Sequence, residues 1–373
     1  MTTLLTPLIS PCITGLALLV RRIKINRIEG KPGFSAWNNS FKDSDLIYRI
    51  AKSYLSANVS DPSAGDSQWS FFLNEFNLNV HNNILARDTH RLQQLLRNPA
   101  ENNLFYGFEN IRIDYINQCK SDEAAAAFYA QQIADALLRF CETCGAIPLD
   151  NPENYAAKPP SRYEPEDLLH RLDNLFGFEI EVPNPFPNEH GLHTQRGIIG
   201  YRTVQALFQA WRIKSCLVDP ANSHVLEIGA GLGRTAYYAS KIGIKNYTIV
   251  DLPFTAISSA YFLGLTLGVE HLHLHGESNN NQKISIITPT DFLVNQFTSD
   301  LVVNFDSFTE IDAKVATAYW NHIFTGSRCF LSINHEANNF RVRDFYYGQP
   351  GYQVFRTPCW ARPGYIEELI TPR

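Results

Sequence analysis

The chain has 373 residues, of which 45% are hydrophobic and 18% are charged, so it can form a packed core that contains a pocket. This composition excludes collagen-like and disordered chains. The 32 basic and 37 acidic side chains give a net charge of −5, which provides no general attraction for a nucleic acid. We therefore expect a globular protein of two parts with no nucleic-acid partner.

The segment 4–20 is mostly apolar and is followed by three basic residues, which is a pattern found in membrane anchors. Two prolines and one glycine interrupt it, and it is shorter than the ~20 apolar residues that a membrane span needs. We expect this segment to be packed or frayed, with no membrane attachment.

The seven cysteines are an odd number and are scattered along the chain, which is typical of a reducing compartment and predicts a cytoplasmic location. Cys141 and Cys144 form the one closely spaced pair, on the apolar face of a helix predicted between Ser121 and Gly145. A zinc or redox pair is the alternative, but no second pair stands at a suitable spacing. We predict core thiols.

Residues 43–140 have apolar residues at helical spacing, and two proline clusters follow, with a helix predicted at 166–176 between them. We divide the chain into an α-helical N-terminal region, 1–187, and a second domain, 188–373. In that domain a helix at 201–217 precedes alternating strands and helices, which predict an α/β fold with a parallel sheet covered on both faces. The predicted strands are 225–228, 247–250, 284–287, 301–304 and 329–333, and the helices between them are 235–242, 255–267, 292–297 and 313–324. Segments 352–356 and 365–370 are too close in sequence for a crossover helix, so we expect an antiparallel hairpin.

The first strand of this sheet runs into a turn with glycines at 229, 231 and 233 and with Glu227 two residues before the first. Glycines in such a turn allow a ligand to approach the backbone closely. The spacing differs from the dinucleotide fingerprint, because Arg234 stands at the position of its last glycine. A carboxylate at 227 is also unfavourable beside a pyrophosphate but suits a ligand with positive charge.

Asp251 ends the next strand, where an acidic side chain can accept hydrogen bonds from both hydroxyls of a ribose. Together with the turn, it indicates an adenosine-like ligand without phosphates, and Leu252 beside it belongs to the same site. At the end of the third strand, Asp291 is placed to meet the adenine amine and Phe292 to pack on the ring. The alternative for Asp291 is an ordinary helix cap.

The Glu-x-Gly-x-Gly-x-Gly turn with its downstream Asp resembles the first two motifs of class I S-adenosylmethionine-dependent methyltransferases. Further segments of the second half resemble the sugar O-methyltransferase family: GRTAYYA (233–239), YTIVDLP (247–253), NFDSFTE (304–310), LSINHE (331–336) and WARPGYIEE (360–368). The resemblance implies a Rossmann-like sheet of seven strands with a reversed last strand. It also implies S-adenosylmethionine as cofactor and a small-molecule acceptor, a sugar or a glycosylated metabolite. The N-terminal region would then shape the acceptor pocket or bind a partner.

Ligands of open α/β sheets bind at the carboxyl ends of the strands, which selects Asp306 after the fourth strand and His335 and Glu336 after the fifth. An alcohol acceptor must lose a proton, and histidine titrates near neutral pH, so we predict His335 as the base. Glu336 or Asp306 would orient its imidazole. We assign no metal ligands, although Mg²⁺ is an alternative means of lowering the pKa of the acceptor hydroxyl.

The sequence is compatible with several alternatives. The acceptor could be a non-sugar natural product or a peptide, and the chain could bind S-adenosylmethionine without turnover, as an interaction protein. A nicotinamide enzyme is a further alternative, which Glu227 and Arg234 disfavour. His271, His273 and His275 alternate with two leucines, so we expect a strand with inward leucines, and a zinc site is the alternative. The sequence is also compatible with a homo-oligomer.

Overall fold

The computed structural model of the chain describes residues 27–36, 43–57, 78–102, 104, 113–150, 161–278 and 284–373. The apolar segment 4–20 therefore lies outside the described residues, as does much of the first proline cluster. Within these ranges, no helix combines the length and the apolar character that a membrane crossing requires.

The first part of the chain is mostly helical, as predicted. Its elements are β1 (Pro32–Phe34), α1 (Ser44–Ser56), α2 (Leu78–Leu85), α3 (Thr89–Arg97), α4 (Ile113–Ser121), α5 (Glu123–Thr143) and α6 (Pro165–Phe176), with a 3₁₀ turn at Pro99–Asn102. Helix α5 is capped by Asp122 instead of the predicted Ser121, because the Asp122 carboxylate accepts hydrogen bonds from the N–H groups of Ala124 and Ala125. Cys141 on this helix is buried and Cys144 partly buried, both as free thiols.

The second part alternates strands and helices. Its elements are β2 (His190–Thr194), β3 (Gly197–Ile199), α7 (Tyr201–Cys216), β4 (His224–Ile228), α8 (Arg234–Lys241), β5 (Asn246–Val250), α9 (Pro253–Leu267), β6 (Leu272–Leu274), β7 (Ile284–Ile287), α10 (Pro289–Val294), β8 (Leu301–Phe305), α11 (Ala313–Gly326), β9 (Phe330–His335), α12 (Arg343–Tyr346), β10 (Tyr352–Pro358) and β11 (Tyr365–Pro372). The 3₁₀ turns Val269–His271 and Phe308–Glu310 follow α9 and β8.

The large sheet confirms the predicted α/β fold class. Its order is β10-β11-β9-β8-β4-β5-β7-β6, the strands from β9 to β6 are parallel, and the last strand β11 runs antiparallel to both β9 and β10. The sheet in the described residues has eight strands, one more than the seven that the resemblance implies. The additional strand is β6 at the edge, where Leu272 and Leu274 are buried as the alternation of leucine and histidine indicated.

Helix α10 begins at Pro289, three residues before the predicted start at 292. Thr288 accepts a hydrogen bond from the N–H of Asp291, and the Asp291 carboxylate accepts one from the N–H of Thr288, which forms a capping box. Pro289 occupies the first helical position, where a missing N–H costs nothing. The local cap therefore fixes the helix start, and apolar periodicity alone did not locate it.

The two parts of the chain are joined by strand pairing and by a common core. Strand β1 pairs with β2, which pairs with β3, so a small three-stranded sheet crosses the predicted boundary at 187/188. One hydrophobic cluster contains buried residues of both parts, for example Leu46 and Ile47 of α1 together with Phe262 and Leu263 of α9. The N-terminal helices are thus packed directly against the second part.

A buried carboxylate, Asp43, reinforces this packing. It accepts hydrogen bonds from Gln93 Nε2 (2.5 Å), from the Arg97 guanidinium (2.6 Å) and from the Tyr261 hydroxyl (2.7 Å). Burial alone would raise the pKa of Asp43, but these donors, and the charge of Arg97, lower it below its ordinary value. Because Tyr261 belongs to α9, the cluster connects α1 and α3 to the second part.

We predict that Tyr261→Phe lowers the free energy of unfolding by about 1.5–3 kcal/mol, the contribution of a hydrogen bond to a charged group. Tyr48→Phe is the matched control, because Tyr48 lies on α1 and is 64% exposed; we expect a change within about 0.5 kcal/mol. Urea unfolding followed by circular dichroism measures both. Equal effects of the two variants would contradict a stabilising role for the Asp43 cluster.

Candidate functional site

A cavity of about 370 Å³ opens at the carboxyl ends of the central strands β4, β5 and β8. Strands β5 and β7 lie on one side of β4, and β8 and β9 lie on the other, so the chain reverses its direction of strand addition at this point. Open α/β sheets bind ligands at such a reversal. The cavity volume is within the range of about 300–1,000 Å³ that small-molecule and cofactor sites occupy.

The glycine-rich turn after β4 lines this cavity through Gly229 and Gly231. Gly229, Gly231 and Gly233 have φ angles of +73°, +58° and +85°, a region that glycine adopts without steric cost. At Gly229 a side chain is also excluded by the neighbouring strand end, because a Cβ atom would lie 2.1 Å from Ser307 Oγ. Gly233 is the N-cap of α8 and does not line the cavity.

Two buried acids, Glu227 and Asp251, line the cavity beside the turn. The Tyr247 hydroxyl donates a hydrogen bond to Glu227 Oε2 (2.9 Å), and the N–H of Gly231 donates one to Asp251 Oδ2 (3.1 Å). Burial raises the pKa of Glu227 to about 8 and, against the effect of backbone donors, that of Asp251 to about 7. A ligand that offers positive charge or hydroxyl groups would stabilise the ionised form of both.

Asp306 lines the cavity after β8 and pairs with two arginines. Its carboxylate accepts hydrogen bonds from Arg202 of α7 and from Arg362 in the loop between β10 and β11. Burial alone would raise the pKa of Asp306, but the charges of Arg362 and Arg202 hold it below its ordinary value. Asp306 is therefore an ionised anchor for two guanidinium groups at this end of the cavity.

A second carboxyl group, Glu310, lines the cavity four residues further on. Burial, followed by the charge of Asp306, raises the pKa of Glu310 to about 7. From the sequence, Glu310 is a candidate only as a Mg²⁺ ligand, together with Asp306, His335 and Glu336, and not as a base, because the strand-end rule stops at the first residues after β8. Glu310 lies in the 3₁₀ turn Phe308–Glu310, and this turn, which places it at the cavity, is visible only in the structure.

Two residues that line the cavity each carry a buried polar atom with no hydrogen-bond partner among the described residues. The atoms are Gln205 Nε2 and Thr255 Oγ1, on side chains of residues that are 5% and 2% exposed. A buried polar group without a partner costs about 1–3 kcal/mol, so such groups are rare unless a ligand or water completes them. These two atoms indicate that the cavity receives a polar ligand.

A buried amide network supports the strand ends beneath the cavity. Asn304 Nδ2 donates hydrogen bonds to the carbonyl of Ile228 (2.8 Å) and to Ser307 Oγ (2.7 Å), and Asn304 Oδ1 accepts from Asn334 Nδ2 (2.9 Å). The network joins the ends of β4, β8 and β9. In the sequence, this network is indicated by Asn304 within an otherwise apolar strand. Burying a polar side chain costs free energy, so its presence there implies a structural or functional role.

The predicted site residues fall into two groups. Glu227, Gly229, Gly231, Asp251, Leu252 and Asp306 line the cavity, whereas Gly233, Asp291, Phe292, His335 and Glu336 do not. Asp291 caps α10 and lies 2.6 Å from His275 Nδ1, and Phe292 is buried against Phe297, Tyr319 and His322.

His335 and Glu336 stand at the end of β9, as the strand-end rule predicts, but their side chains contact other groups. The imidazole of His335 packs edge-on against Tyr365 at 5.4 Å, and Glu336 pairs with Arg356 at 2.9 Å. Their catalytic role stays a prediction.

Among the described residues, no group of three His, Cys, Asp or Glu side chains could hold a metal ion. The three histidines of the β6 segment diverge: His271 lies in the 3₁₀ turn, His273 Nε2 is 3.1 Å from the Glu277 carbonyl, and His275 contacts Asp291. At Asp306, both oxygens face guanidinium groups, which repel a cation. Nothing here supports the zinc or the Mg²⁺ alternative.

No protein-family model matches the sequence, and no curated protein matches it significantly. Similar solved structures include magnesium protoporphyrin IX methyltransferase from Synechocystis PCC 6803 with bound SAM, at 16% identity, 46% coverage of this chain, 83% of that chain and a TM-score of 0.35. Mitomycin 7-O-methyltransferase is 12% identical, over 46% of this chain and 57% of that chain, with a TM-score of 0.35. A glycopeptide N-methyltransferase is also 12% identical, over 45% and 94%, with a TM-score of 0.35. We draw neither activity nor acceptor from similarities of this size.

We predict that Gly229→Ala destabilises the fold more than Gly243→Ala does. Both glycines have positive φ, +73° and +99°, which costs another residue about 1–2 kcal/mol. Only at Gly229 would the new Cβ meet a neighbour; at Gly243 nothing lies within 4 Å. We expect the Gly229 variant to lose a further ~1–3 kcal/mol in urea unfolding, the usual cost of overpacking. Equal losses would show that β4 and β8 do not approach as closely as described.

Proposed function

We propose that the protein is an S-adenosylmethionine-dependent methyltransferase. One observation carries the proposal: the glycine-rich turn and Asp251, on adjacent strand ends, meet through the Gly231 N–H and together line a cofactor-sized cavity. The turn leaves room for a ligand at the backbone, and the acid beside it can accept the hydrogen bonds of a ribose diol. Neither feature requires a phosphate group.

The residues of the cavity fit this cofactor. Asp251 would accept the ribose hydroxyls, Leu252 would pack beside the adenosyl group, and Glu227 would favour the positive charge of the amino-acid end. Gln205 Nε2 and Thr255 Oγ1 would find partners in a ligand with carboxylate and amino groups. When bound, S-adenosylmethionine supplies a methyl group on a sulfonium, from which a nucleophile displaces it in line. The protein's contribution is to hold donor and acceptor in alignment.

A dinucleotide is a poorer fit for the same turn. A pyrophosphate would meet two carboxyl groups, Glu227 and Asp251. The Arg234 guanidinium, which follows the last glycine, pairs with Glu189 at 2.9 Å and stacks over Phe262 at 5.0 Å. The cavity therefore favours a cationic adenosyl ligand over an anionic one.

For the acceptor, we propose a hydroxyl group of a sugar on a small molecule or glycoconjugate. The support is the resemblance of five segments to sugar O-methyltransferases, together with the acids, guanidinium groups and amide at the Asp306 end, which suit a polyhydroxyl ligand. A non-sugar natural product or a peptide is the alternative acceptor. The cytoplasmic location and a homo-oligomer stay predictions.

We predict that S-adenosylmethionine and S-adenosylhomocysteine bind the protein with micromolar affinity in calorimetric titration, while NADH does not. Asp251→Ala should lower the affinity for both adenosyl compounds at least tenfold, because a hydrogen bond to a charged group contributes about 1.5–3 kcal/mol. Glu270→Ala, an exposed change outside the cavity, serves as the control. Folded protein without affinity for either compound would overturn the proposal, and binding without turnover on any acceptor would favour a non-catalytic binding protein.

We also predict that this affinity depends on pH. Asp251 must be ionised to accept the ribose hydroxyls, and its pKa is about 7, so the binding-competent fraction falls as the pH drops through 7. Affinity should decrease by up to about tenfold between pH 8 and pH 6, and binding near pH 7 should release protons. Calorimetry in buffers of different ionisation enthalpy measures that release, and Asp251→Asn should reduce it. Equal affinity at both pH values would contradict the assignment of Asp251.

A further inference from the structure

Glu310 differs from Asp306, its neighbour at this end of the cavity, in the contacts of its side chain within the described ranges. No described residue forms an ion pair or a side-chain hydrogen bond with it, whereas the neighbouring Asp306 is held by two arginines. Glu310 is half-buried and lines the cavity, so its carboxyl group is accessible to a ligand but largely shielded from bulk water.

The backbone that carries Glu310 is rigidly placed. The N–H of Glu310 donates to the carbonyl of Ser307 (3.0 Å), and the N–H of Phe308 donates to Asn304 Oδ1 (3.0 Å). The Phe308 ring is fully buried against Phe330 and Phe345. The side chain therefore projects from an anchored turn, as a group that must meet a substrate in a fixed geometry requires.

The charged groups that act on Glu310 separate its titration from that of Asp306. Burial and the Asp306 carboxylate oppose ionisation of Glu310, and Arg202 and Arg362 favour it, with the pKa raised to about 7 as the result. For Asp306 the two arginines prevail, so it stays ionised. When the pKa values of two neighbouring acids are shifted in opposite directions, one acid commonly carries a proton and the other acts as a fixed charge.

We propose that Glu310 is the general base that accepts the proton of the acceptor hydroxyl, a step that rests on the methyltransferase function proposed above. As the oxygen–carbon bond to the methyl group forms, the carbon–sulfur bond breaks and its electron pair stays on sulfur, which becomes a neutral thioether. The hydroxyl proton passes to the Glu310 carboxylate, which later releases it to water. Asp306 holds Arg202 and Arg362 in place beside it.

This assignment replaces His335, which the sequence favoured. His335 lies one strand further along the sheet, at the end of β9, and does not line the cavity. Glu310 lines it and is available for a proton, so the two residues make opposite predictions for the same experiment.

The first test measures Glu310 in the protein without cofactor. Glutamate labelled with ¹³C at Cδ is titrated by NMR from pH 4 to pH 9, and the resonance is assigned by its loss in Glu310→Gln. We expect a midpoint near pH 7, well above the ordinary value of about 4.3. A midpoint near the ordinary value would overturn the proposal whatever the acceptor is.

The second test uses methyl hexosides, hexose 1-phosphates and nucleotide sugars as acceptor probes. With a probe that the wild type methylates, the rate should rise with pH through about 7. In Glu310→Gln this rise of the rate with pH, the pH limb, should disappear, and kcat should fall about 10²–10⁴-fold. Glu310→Asp should recover part of the rate. Affinity for S-adenosylmethionine should stay within about threefold, and Glu270→Gln should behave as wild type.

His335→Ala distinguishes the two candidate bases. Retention of the pH limb in Glu310→Gln with its loss in His335→Ala would overturn the proposal in favour of the histidine. Failure of the proposed function would look different, since it would remove binding of S-adenosylmethionine by the wild type and leave the NMR titration of Glu310 unaffected.

Discussion

The Asp306 carboxylate holds together the three parts of the chain that surround the cavity. It follows β8, and it pairs with Arg202 from α7 and with Arg362 from the loop between β10 and β11. Arg362 also lies over the Tyr365 ring, 3.5 Å from its centroid. Removing one member of this half-buried cluster would leave the charge of the others less well compensated, so each group constrains the other two. Asp306 itself has a φ of +74°, which aspartate tolerates better than most residues.

The N-terminal helices influence the cavity without lining it. In the described part of the chain, every lining residue lies between Arg202 and Tyr319. Helix α9 provides the connection, because one of its faces packs on α1 while Thr255 near its start reaches the cavity. Arg49 of α1 strengthens the contact by pairing with Glu277 (2.7 Å) and donating to the carbonyls of Val269 and Leu272. The helices therefore fix the position of α9 and, through it, one wall of the site.

The sequence predicted the features that local rules control. Strand and helix alternation predicted the parallel sheet, and the short connection between the last two strands predicted the antiparallel hairpin. The glycine spacing with Asp251 located one end of the cavity, because strand, turn and acid are close in sequence. It did not predict Arg202 or Gln205, since their proximity to the cavity depends on how α7 packs against β8. The strand-end rule gave the correct edge of the sheet for His335 and Asp291 but could not give the direction of their side chains. A local capping box fixes Asp291, and Phe292 is buried in the core between α10 and α11.

The charge of the cavity is set by neighbours more than by residue type. Asp306 stays ionised because two guanidinium groups compensate it, whereas burial raises the pKa values of Glu227, Asp251 and Glu310, and at Glu310 burial and the Asp306 charge outweigh the two arginines. Carboxyl groups of this kind ionise readily when a ligand brings positive charge or donates hydrogen bonds, and they oppose an added anion. A sulfonium-containing adenosyl compound brings positive charge and also donates hydrogen bonds from its ribose diol. A phosphate-containing dinucleotide donates the hydrogen bonds but brings negative charge. The electrostatics of the cavity thus favour the same class of cofactor as the glycine-rich turn.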